Sequence, residues 1–242
     1  MRMAKHFEPP VPATDKPWQQ LGLDENTEKL WEAVRPRTMT SIQRLDALRQ
    51  GIEYIHSNSI PGDIVECGVW RGGSMLAAAL TLQRLDDERR LWLFDTFAGM
   101  PPPSSEDKDY QGRSAAELMA AQSPETSWIW AKSSLEDVKA GFEEIDYPRD
   151  LINYIVGNVE ATIPIEAPEN IALLRLDTDW YTSTYHELIH LWPRISKNGL
   201  LIIDDYGDWR GAKKAVDQYF NENKLHPFLH RIDGTGRLII KI

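Results

Sequence analysis

Acidic residues follow two short apolar runs in the second half of the chain. Residues 171–176 lead into Asp177, and residues 200–203 lead into Asp204 and Asp205. Apolar runs of this length are typical of strands buried on both faces of a parallel sheet. Neighbouring strands lie about 4.8 Å apart. If these two strands are neighbours, we predict that Asp177 and the Asp204–Asp205 pair bring their carboxylates into one crevice.

Carboxylates crowded in this way need a compensating charge or proton. Two like charges about 4 Å apart repel each other by about 4 kcal/mol at an effective dielectric constant near 20. A divalent cation, a cationic ligand or raised pKa values would relieve that repulsion, and all-oxygen ligands favour magnesium, calcium or manganese over zinc. Because consecutive strand residues point to opposite faces, Asp204 and Asp205 can share a cation only where the strand turns into a loop. An alternative stays open, in which these acids are helix N-caps and solvated strand ends.

Composition narrows the classes of protein. The 242 residues are 42% hydrophobic and 26% charged, which is typical of a soluble globular protein. A net charge of -10 argues against a nucleic-acid partner. No apolar stretch approaches about 18 residues and no signal peptide is recognisable, so we predict a cytoplasmic protein without a membrane partner. The single cysteine, Cys67, excludes an internal disulfide and is interpreted as a small buried hydrophobe.

A strand, a glycine-rich turn and an apolar helix follow one another over residues 63–82. Such a unit opens a doubly wound α/β sheet. Glycines at the turn let a ligand approach the backbone, and the helix N-terminus offers free N–H groups to an anion. The spacing of Gly68, Gly72 and Gly73 is not that of a dinucleotide-binding fingerprint, because Trp70 stands where a glycine is needed. The pattern disfavours a nicotinamide-dependent dehydrogenase, and a plain strand-to-helix connection stays an alternative.

The next strand, residues 91–94, ends in Asp95, the position that binds a ribose diol in nucleoside-binding α/β folds. Residues 97–132 then break the alternation of strand and helix. Their length indicates a functional lid, or alternatively a surface excursion that packs in an oligomer.

The remaining elements complete a single domain over residues 38–242. Residues 1–37 form an N-terminal arm with a short helix near 26–34, which packs on a neighbouring surface or on another subunit. Apolar periodicity and turn residues predict helices at 40–57, 134–145, 182–192 and 211–220, strands at 151–156, 171–177 and 200–204, and a hairpin over 226–242.

Four motifs together resemble the macrocin O-methyltransferase family, whose members methylate sugar hydroxyls on macrolide and aminocoumarin natural products. These motifs are residues 63–74, 94–101, 174–184 and 202–206. The resemblance covers about residues 38–242. It implies a class I (Rossmann-like) methyltransferase fold, with a doubly wound, mostly parallel sheet and an antiparallel last strand.

The resemblance also assigns roles to single residues. It implies a site for Mg²⁺ or another divalent cation formed by Asp177, Asp204 and Asp205, with Asp179 as the general base. The residues implied to bind the S-adenosyl-L-methionine cofactor are Glu66, Gly68 and Ser74 for the methionine portion, Asp95 for the ribose, and Gly157 and Asn158 for the adenine.

These assignments predict a metal-dependent O-methyltransferase that acts on a hydroxyl of a sugar or glycoside. A sugar hydroxyl is a poor nucleophile, and coordination to a divalent cation lowers its pKa. Asp179 could then take the proton as the oxygen attacks the methyl group of the sulfonium. Alternatives are a catechol-type phenol methyltransferase and a non-catalytic nucleoside-binding protein. The family also leads us to expect a homo-oligomer.

Overall fold

Seven strands form one mixed sheet in the computed structural model, which describes residues 21–124 and 127–242. The strands are β1 (Asp63–Cys67), β2 (Leu91–Asp95), β3 (Ile152–Val156), β4 (Ile171–Leu176), β5 (Ile195–Ile203), β6 (His230–Arg231) and β7 (Arg237–Ile240). Their order across the sheet is β3-β2-β1-β4-β5-β7-β6. Strands β1 to β5 are parallel, and β7 runs antiparallel to both β5 and β6. The predicted sheet with an antiparallel last strand is confirmed.

Helices cover both faces of the sheet. They are α1 (Glu25–Val34), α2 (Ile42–Ser57), α3 (Gly73–Leu85), α4 (Ala115–Ala120), α5 (Leu135–Glu143), α6 (Val159–Thr162), α7 (Tyr181–Leu191) and α8 (Arg210–Glu222). Side chains of α1, α2, α3 and α5 form one apolar core with the sheet, and those of α7 and α8 form a second. Strand residues alternate between the cores: Leu173 lies in the first and Leu174 in the second. This alternation explains why the central strands are apolar at nearly every position.

Local sequence signals place most helix boundaries correctly. The side chain of Ser41 accepts a hydrogen bond from the Arg44 amide at 3.1 Å at the start of α2. The side chain of Ser134 accepts one from the Asp137 amide at 3.2 Å at the start of α5. Both residues are therefore the N-caps that their types predict.

Asn198-Gly199 is a pair of residue types that predicts a turn, but the structure places it inside a strand. Strand β5 already begins at Ile195, and these two residues lie inside it. Asn198 takes a positive φ of 64°, and the pairing of β5 with β4 shifts between Ile171 and Leu173. Asparagine tolerates this conformation, so the chain makes a bulge within the strand instead of a turn before it.

The described part of the N-terminal arm packs on its own chain, and residues 1–20 lie outside the described ranges. The predicted helix is α1, and it buries Leu30 and Val34 against α2 and α3. The hydroxyl of Thr27 donates to Asp46 of α2, which also binds Arg49. Within the described residues, no helix is long and apolar enough to cross a membrane.

Candidate active site

A cavity opens at the carboxyl ends of β1, β2, β4 and β5. The loops that follow these strands supply most of its lining, including Gly68, Asp95, Asp177 and Asp205. In open α/β sheets this edge is where ligands bind, at the point where the strand order reverses. Here β2 and β4 lie on either side of β1, so the reversal falls beside the loop after β1.

Three carboxylates meet on one side of this cavity. One oxygen each of Asp177, Asp179 and Asp205 lies within 4.8 Å of the others, the single such acidic group in the described part of the chain. Asp179 takes a positive φ of 63°, which turns its amide toward Asp205, and Asp205 accepts a hydrogen bond from that amide at 3.3 Å. Acids from two separate strand ends converge, as the sequence predicts.

Negative charge is concentrated in this group, and two of its carboxyl groups have raised pKa values. Burial, followed by repulsion from Asp205 and Asp177, raises the pKa of Asp179 well above its ordinary value. Burial and repulsion from Asp177 also raise the pKa of Asp205. Three hard oxygen donors, two of which have raised pKa values, are a suitable set for a divalent cation such as magnesium.

Asp204 is not a member of this group. The residue is 4% exposed, and its carboxylate forms ion pairs with the guanidinium groups of Arg175 and Arg44. The hydroxyl of Thr40 also donates to it, at 3.3 Å. Strand β5 ends at Ile203, and both residues line the cavity, but Asp204 binds the two arginines whereas Asp205 accepts a hydrogen bond from the Asp179 amide. The resemblance implies a cluster of Asp177, Asp204 and Asp205, whereas in the structure Asp179 is the third acid beside Asp177 and Asp205.

Arg175 is the residue that connects the acids beneath the cavity. It lies on β4, is 3% exposed, and donates to Glu66 Oε1 and to Asp177 Oδ2 at 2.6 Å each. The sequence interpretation gave Arg175 no role, although one signal was available. A lone arginine inside the apolar run of residues 171–176 must find buried anionic partners.

The loops after β1 and β4 touch each other directly. Gly68 has a positive φ of 83°, and a Cβ placed on it would lie 1.9 Å from the carbonyl oxygen of Asp177. The Asp177 amide in turn donates to the Cys67 carbonyl at 2.8 Å. A glycine is therefore required here for the close approach of the two loops.

Four of the six predicted cofactor residues line the cavity: Gly68, Asp95, Gly157 and Asn158. Asp95 has a further task. Its Oδ2 accepts hydrogen bonds from the amides of Val69 and Trp70 at 2.7 and 3.0 Å, and its Oδ1 accepts one from the Phe97 amide at 2.7 Å. Asp95 thus fixes the loop after β1, which leaves it limited capacity for a ribose.

The other two predicted cofactor residues, Glu66 and Ser74, are buried and do not belong to the lining. Glu66 Oε2 has no hydrogen-bond partner. Burial raises the pKa of Glu66 to about 8, although the nearby Arg175 opposes that shift. An unpaired carboxyl oxygen under the glycine turn is consistent with the implied contact to the methionine portion of a cofactor.

Described residues of the segment 97–132 form one wall of the cavity. The indole N–H of Trp180 donates to the Pro101 carbonyl at 2.9 Å. Asp107 is fully buried and accepts a hydrogen bond from the Tyr181 amide at 2.7 Å, at the start of α7. A Cβ on Gly211 would lie 2.0 Å from Asp107 Oδ1, so α8 packs closely on the same carboxylate. These contacts anchor the segment to α7 and α8, the helices that follow the acidic loops after β4 and β5.

The chain is similar to known O-methyltransferases. Residues 18–240 match the family described as macrocin-O-methyltransferase (TylF). The demethyldecarbamoylnovobiocin O-methyltransferase of Streptomyces niveus is 33% identical over 212 residues, which are 87% of this chain and 78% of that protein. An 8-demethyl-8-(2,3-dimethoxy-alpha-L-rhamnosyl)-tetracenomycin-C 4'-O-methyltransferase of Streptomyces olivaceus is 35% identical over 207 residues, 85% of this chain and 76% of that protein. The solved structure of the O-methyltransferase NovP has a TM-score of 0.74 at 32% identity, covering 85% of this chain and 82% of that one.

Proposed function

The chain belongs to the macrocin O-methyltransferase family and is an S-adenosylmethionine-dependent O-methyltransferase, and we propose that its acceptor is a hydroxyl of a sugar on a glycosylated natural product. The observation that carries the choice of a hydroxyl acceptor is the acid group of Asp177, Asp179 and Asp205 beside the cavity that Gly68 and Asp95 line. In this proposal, residues 38–242 are one methyltransferase domain in which residues 97–132 are the lid.

We propose that Asp177 and Asp205 hold a divalent cation at the acceptor end of the cavity. Their oxygens lie close together, and both acids are members of the implied metal set. A bound cation would supply an electrophile that lowers the pKa of a coordinated hydroxyl. For Asp204, which the resemblance also implies as a ligand, coordination would compete with its ion pairs to Arg44 and Arg175.

Asp179 is proposed to remove the proton of the acceptor hydroxyl. Its raised pKa makes it a stronger base than an ordinary carboxylate, and it faces Asp205 across the acid group. Gly68 keeps the cofactor loop within contact of the Asp177 carbonyl. The oxygen must approach the methyl carbon to about 3 Å on one axis, so the fixed distance between the loops serves catalysis by positioning.

The sugar acceptor is supported by the relatives. One acts on a rhamnosyl-bearing tetracenomycin at a 4' position, and another on demethyldecarbamoylnovobiocin.

An acceptor panel with labelled cofactor tests the sugar assignment. We expect label on deoxysugar glycosides and none on catechol or caffeate, and we expect excess chelator to stop the transfer. Transfer to catechol alone would replace the sugar assignment with the phenol alternative. Transfer that continues in chelator would remove the cation from the proposal.

Magnesium should stabilise the protein more at pH 8 than at pH 5.5. Carboxyl groups with raised pKa values bind protons in the folded state, so their contribution to the free energy of unfolding falls as pH rises from about 4 through the raised pKa values. A cation that binds must replace those protons, so cation binding is favoured at pH values above the raised pKa values. At ten times Kd the stabilisation is about 1.4 kcal/mol, which should raise Tm by about 3–6 °C at pH 8.

Thermal melts with and without magnesium at the two pH values check this prediction. In the Asp205→Asn variant the shift at pH 8 should disappear. Asp217→Asn is the matched control, because Asp217 lies on the exposed face of α8 in an ion pair with Lys213. An equal shift in wild type, Asp205→Asn and Asp217→Asn would show that the cation acts elsewhere.

A further inference from the structure

The two helices that follow the acidic loops begin without caps of their own. Trp180 and Trp209 hold the N-cap positions of α7 and α8, and within the described residues neither side chain forms a capping hydrogen bond. Ser, Thr, Asp or Asn usually stands at such a position, because its side-chain oxygen accepts from the first free amides of the helix. Both helices therefore need acceptors from elsewhere in the chain.

Asp107 of the lid is the acceptor for α7. Its Oδ1 accepts a hydrogen bond from the Tyr181 amide at 2.7 Å, and its Oδ2 accepts from the amide and the hydroxyl of Ser104 at 2.6 and 2.7 Å. The charged run of residues 106–109 is typical of a solvated loop, yet Asp107 is fully buried. Three donors thus fix the carboxylate in one orientation at the start of α7.

The same part of the lid holds the start of α8. The Lys108 carbonyl accepts a hydrogen bond from the Arg210 amide at 2.8 Å, within the first turn of that helix. A Cβ on Gly211 would lie 2.0 Å from Asp107 Oδ1 and 3.1 Å from the Tyr181 amide nitrogen. The Asp107 carboxylate therefore lies where the beginnings of α7 and α8 meet, and a glycine in α8 leaves room for it.

An apolar cluster separate from the two cores of the sheet joins the lid to the same helix beginnings. Trp180 and Trp209 pack edge-to-face in it, with ring centroids 4.9 Å apart, and α4 of the lid adds side chains. Trp180 directly follows Asp179, and the Trp209 amide donates to the Asp205 carbonyl at 3.0 Å. The contacts of the lid thus reach both loops that carry the acid group.

We infer that Asp107 is a positioning residue, which holds α7 and α8 so that Asp177, Asp179 and Asp205 keep the spacing that cation binding and proton removal require. The inference rests on the proposed function of those acids. The described lining of the active-site cavity does not include Asp107, so it acts through the two helices and not on a substrate. A shift of about 1 Å in a reacting group can lower a rate about 10²-fold, which makes a buried cap important for turnover.

Three measurements on the full chain test the inference. They are calorimetric titration with magnesium chloride, calorimetric titration with S-adenosylhomocysteine, and the rate of methyl transfer to 4-nitrophenyl α-L-rhamnoside. In Asp107→Ala we expect Kd for magnesium to rise at least about threefold and kcat to fall at least about tenfold. Kd for S-adenosylhomocysteine should change less than about twofold, because the residues implied to bind the cofactor follow β1, β2 and β3 and not β4 and β5.

Two further variants keep the test valid if Asp107→Ala folds poorly. Asp107→Asn keeps one oxygen but turns an N–H₂ group toward some of the present donors, so its kcat should lie between those of wild type and Asp107→Ala. Gly211→Ala leaves Asp107 in the chain and displaces its carboxylate from the Tyr181 amide. It should weaken magnesium binding and lower kcat without weakening cofactor binding, although alanine favours a helix over glycine.

Asp24→Ala is the matched control for the loss of a helix cap. Asp24 is the N-cap of α1, and its carboxylate accepts from the Thr27 amide at 2.9 Å. Helix α1 belongs to the core on the other face of the sheet from α7 and α8. Its variant should lower Tm but leave magnesium affinity and kcat within about twofold of wild type. Losses in Asp24→Ala as large as those in Asp107→Ala would assign the effect to stability and overturn the inference.

Other outcomes also decide against a positioning role. Wild-type kcat and magnesium affinity in Asp107→Ala, or a loss of cofactor affinity as large as the loss of magnesium affinity, would overturn the inference. A fall in kcat with unchanged magnesium affinity would do the same, because the acid group would then have kept its spacing.

Failure of the inference and failure of the proposed function give different results. If wild type binds magnesium but methylates no rhamnoside, the sugar assignment fails, and magnesium affinity in Asp107→Ala decides the inference. If wild type methylates the rhamnoside without binding magnesium, the cation assignment fails, and the inference is decided by whether kcat falls while cofactor affinity is kept.

Discussion

Replacing Arg175 with methionine should lower the free energy of unfolding by about 3–5 kcal/mol, the range for removing one partner of a buried ion pair. Arg175 is 3% exposed and binds carboxylates of Glu66, Asp177 and Asp204. Methionine fills a similar volume, so the loss would come from the uncompensated acids and not from a cavity. Urea denaturation at pH 7 measures the change.

Two control variants make the Arg175 prediction specific. Lys213→Met removes an exposed cation that is paired with Asp217, and it should change stability by no more than about 0.5 kcal/mol. Arg175→Lys keeps the charge but not the forked geometry, so its stability should lie between wild type and Arg175→Met. If Arg175→Met lowers the free energy of unfolding by less than about 1 kcal/mol, the acids do not depend on Arg175.

A second-site change checks that charge is the cause. In the Arg175→Met background, Glu66→Gln removes one of the acids that lost its partner and should recover part of the stability. In the wild-type background, Glu66→Gln should destabilise, because an uncharged amide oxygen accepts the 2.6 Å hydrogen bond from Arg175 more weakly than a carboxylate does. Opposite signs in the two backgrounds would demonstrate the coupling between the two residues.

The fold was predictable because its signals are local. The strands β1 and β2 end at Cys67 and Asp95, and β4 and β5 lead into Asp177 and Asp204. Parallel strands bring such ends to one edge of the sheet. The convergence of Asp177 and Asp205 follows from this rule alone. Ser41 and Ser134 act as N-caps for the same kind of reason, since a cap depends on residues three positions away.

The partners of the acids were not predictable in this way. Arg44 lies on α2, 160 positions before Asp204, and its contact depends on how that helix packs over the sheet. The alternation of side chains along a strand warned that Asp204 and Asp205 would differ in direction. That alternation does not predict that Asp204 forms ion pairs with two arginines, or that Asp179 lies beside Asp205.

The structure of residues 97–132 was also beyond local signals. Pro101 and Asp107 are fixed by Trp180 and Tyr181, which follow the acidic loop some 75 positions later in the chain. The break in the alternation of strand and helix predicts a long insertion, and the length of that insertion indicates a lid. Its anchoring to α7 and α8 arises from long-range contacts that a single sequence does not encode in any simple pattern.

Asp179→Asn should lower kcat by about 10²–10⁴-fold, the usual contribution of a general base, while S-adenosylmethionine binds nearly as in wild type. The amide has the same size as the carboxylate but cannot accept the proton of a hydroxyl. Asp179 takes a positive φ of 63°, which asparagine tolerates as well as aspartate, so the loop should keep its shape. Single-turnover rates and cofactor titrations measure the two effects separately, and an equal loss of both would remove Asp179 from the role of base.

Magnesium affinity in four variants decides which acids hold the cation. The resemblance implies Asp177, Asp204 and Asp205, whereas the geometry groups Asp177, Asp179 and Asp205. Asp177→Asn and Asp205→Asn should each lose most of the affinity under either assignment. With Asp179 as the base, Asp179→Asn should keep magnesium affinity within about threefold of wild type, a difference below 1 kcal/mol. If Asp179→Asn instead loses magnesium as fully as Asp205→Asn, while Asp204→Asn keeps it, Asp179 is the third ligand and Asp204 serves only to anchor Arg44 and Arg175.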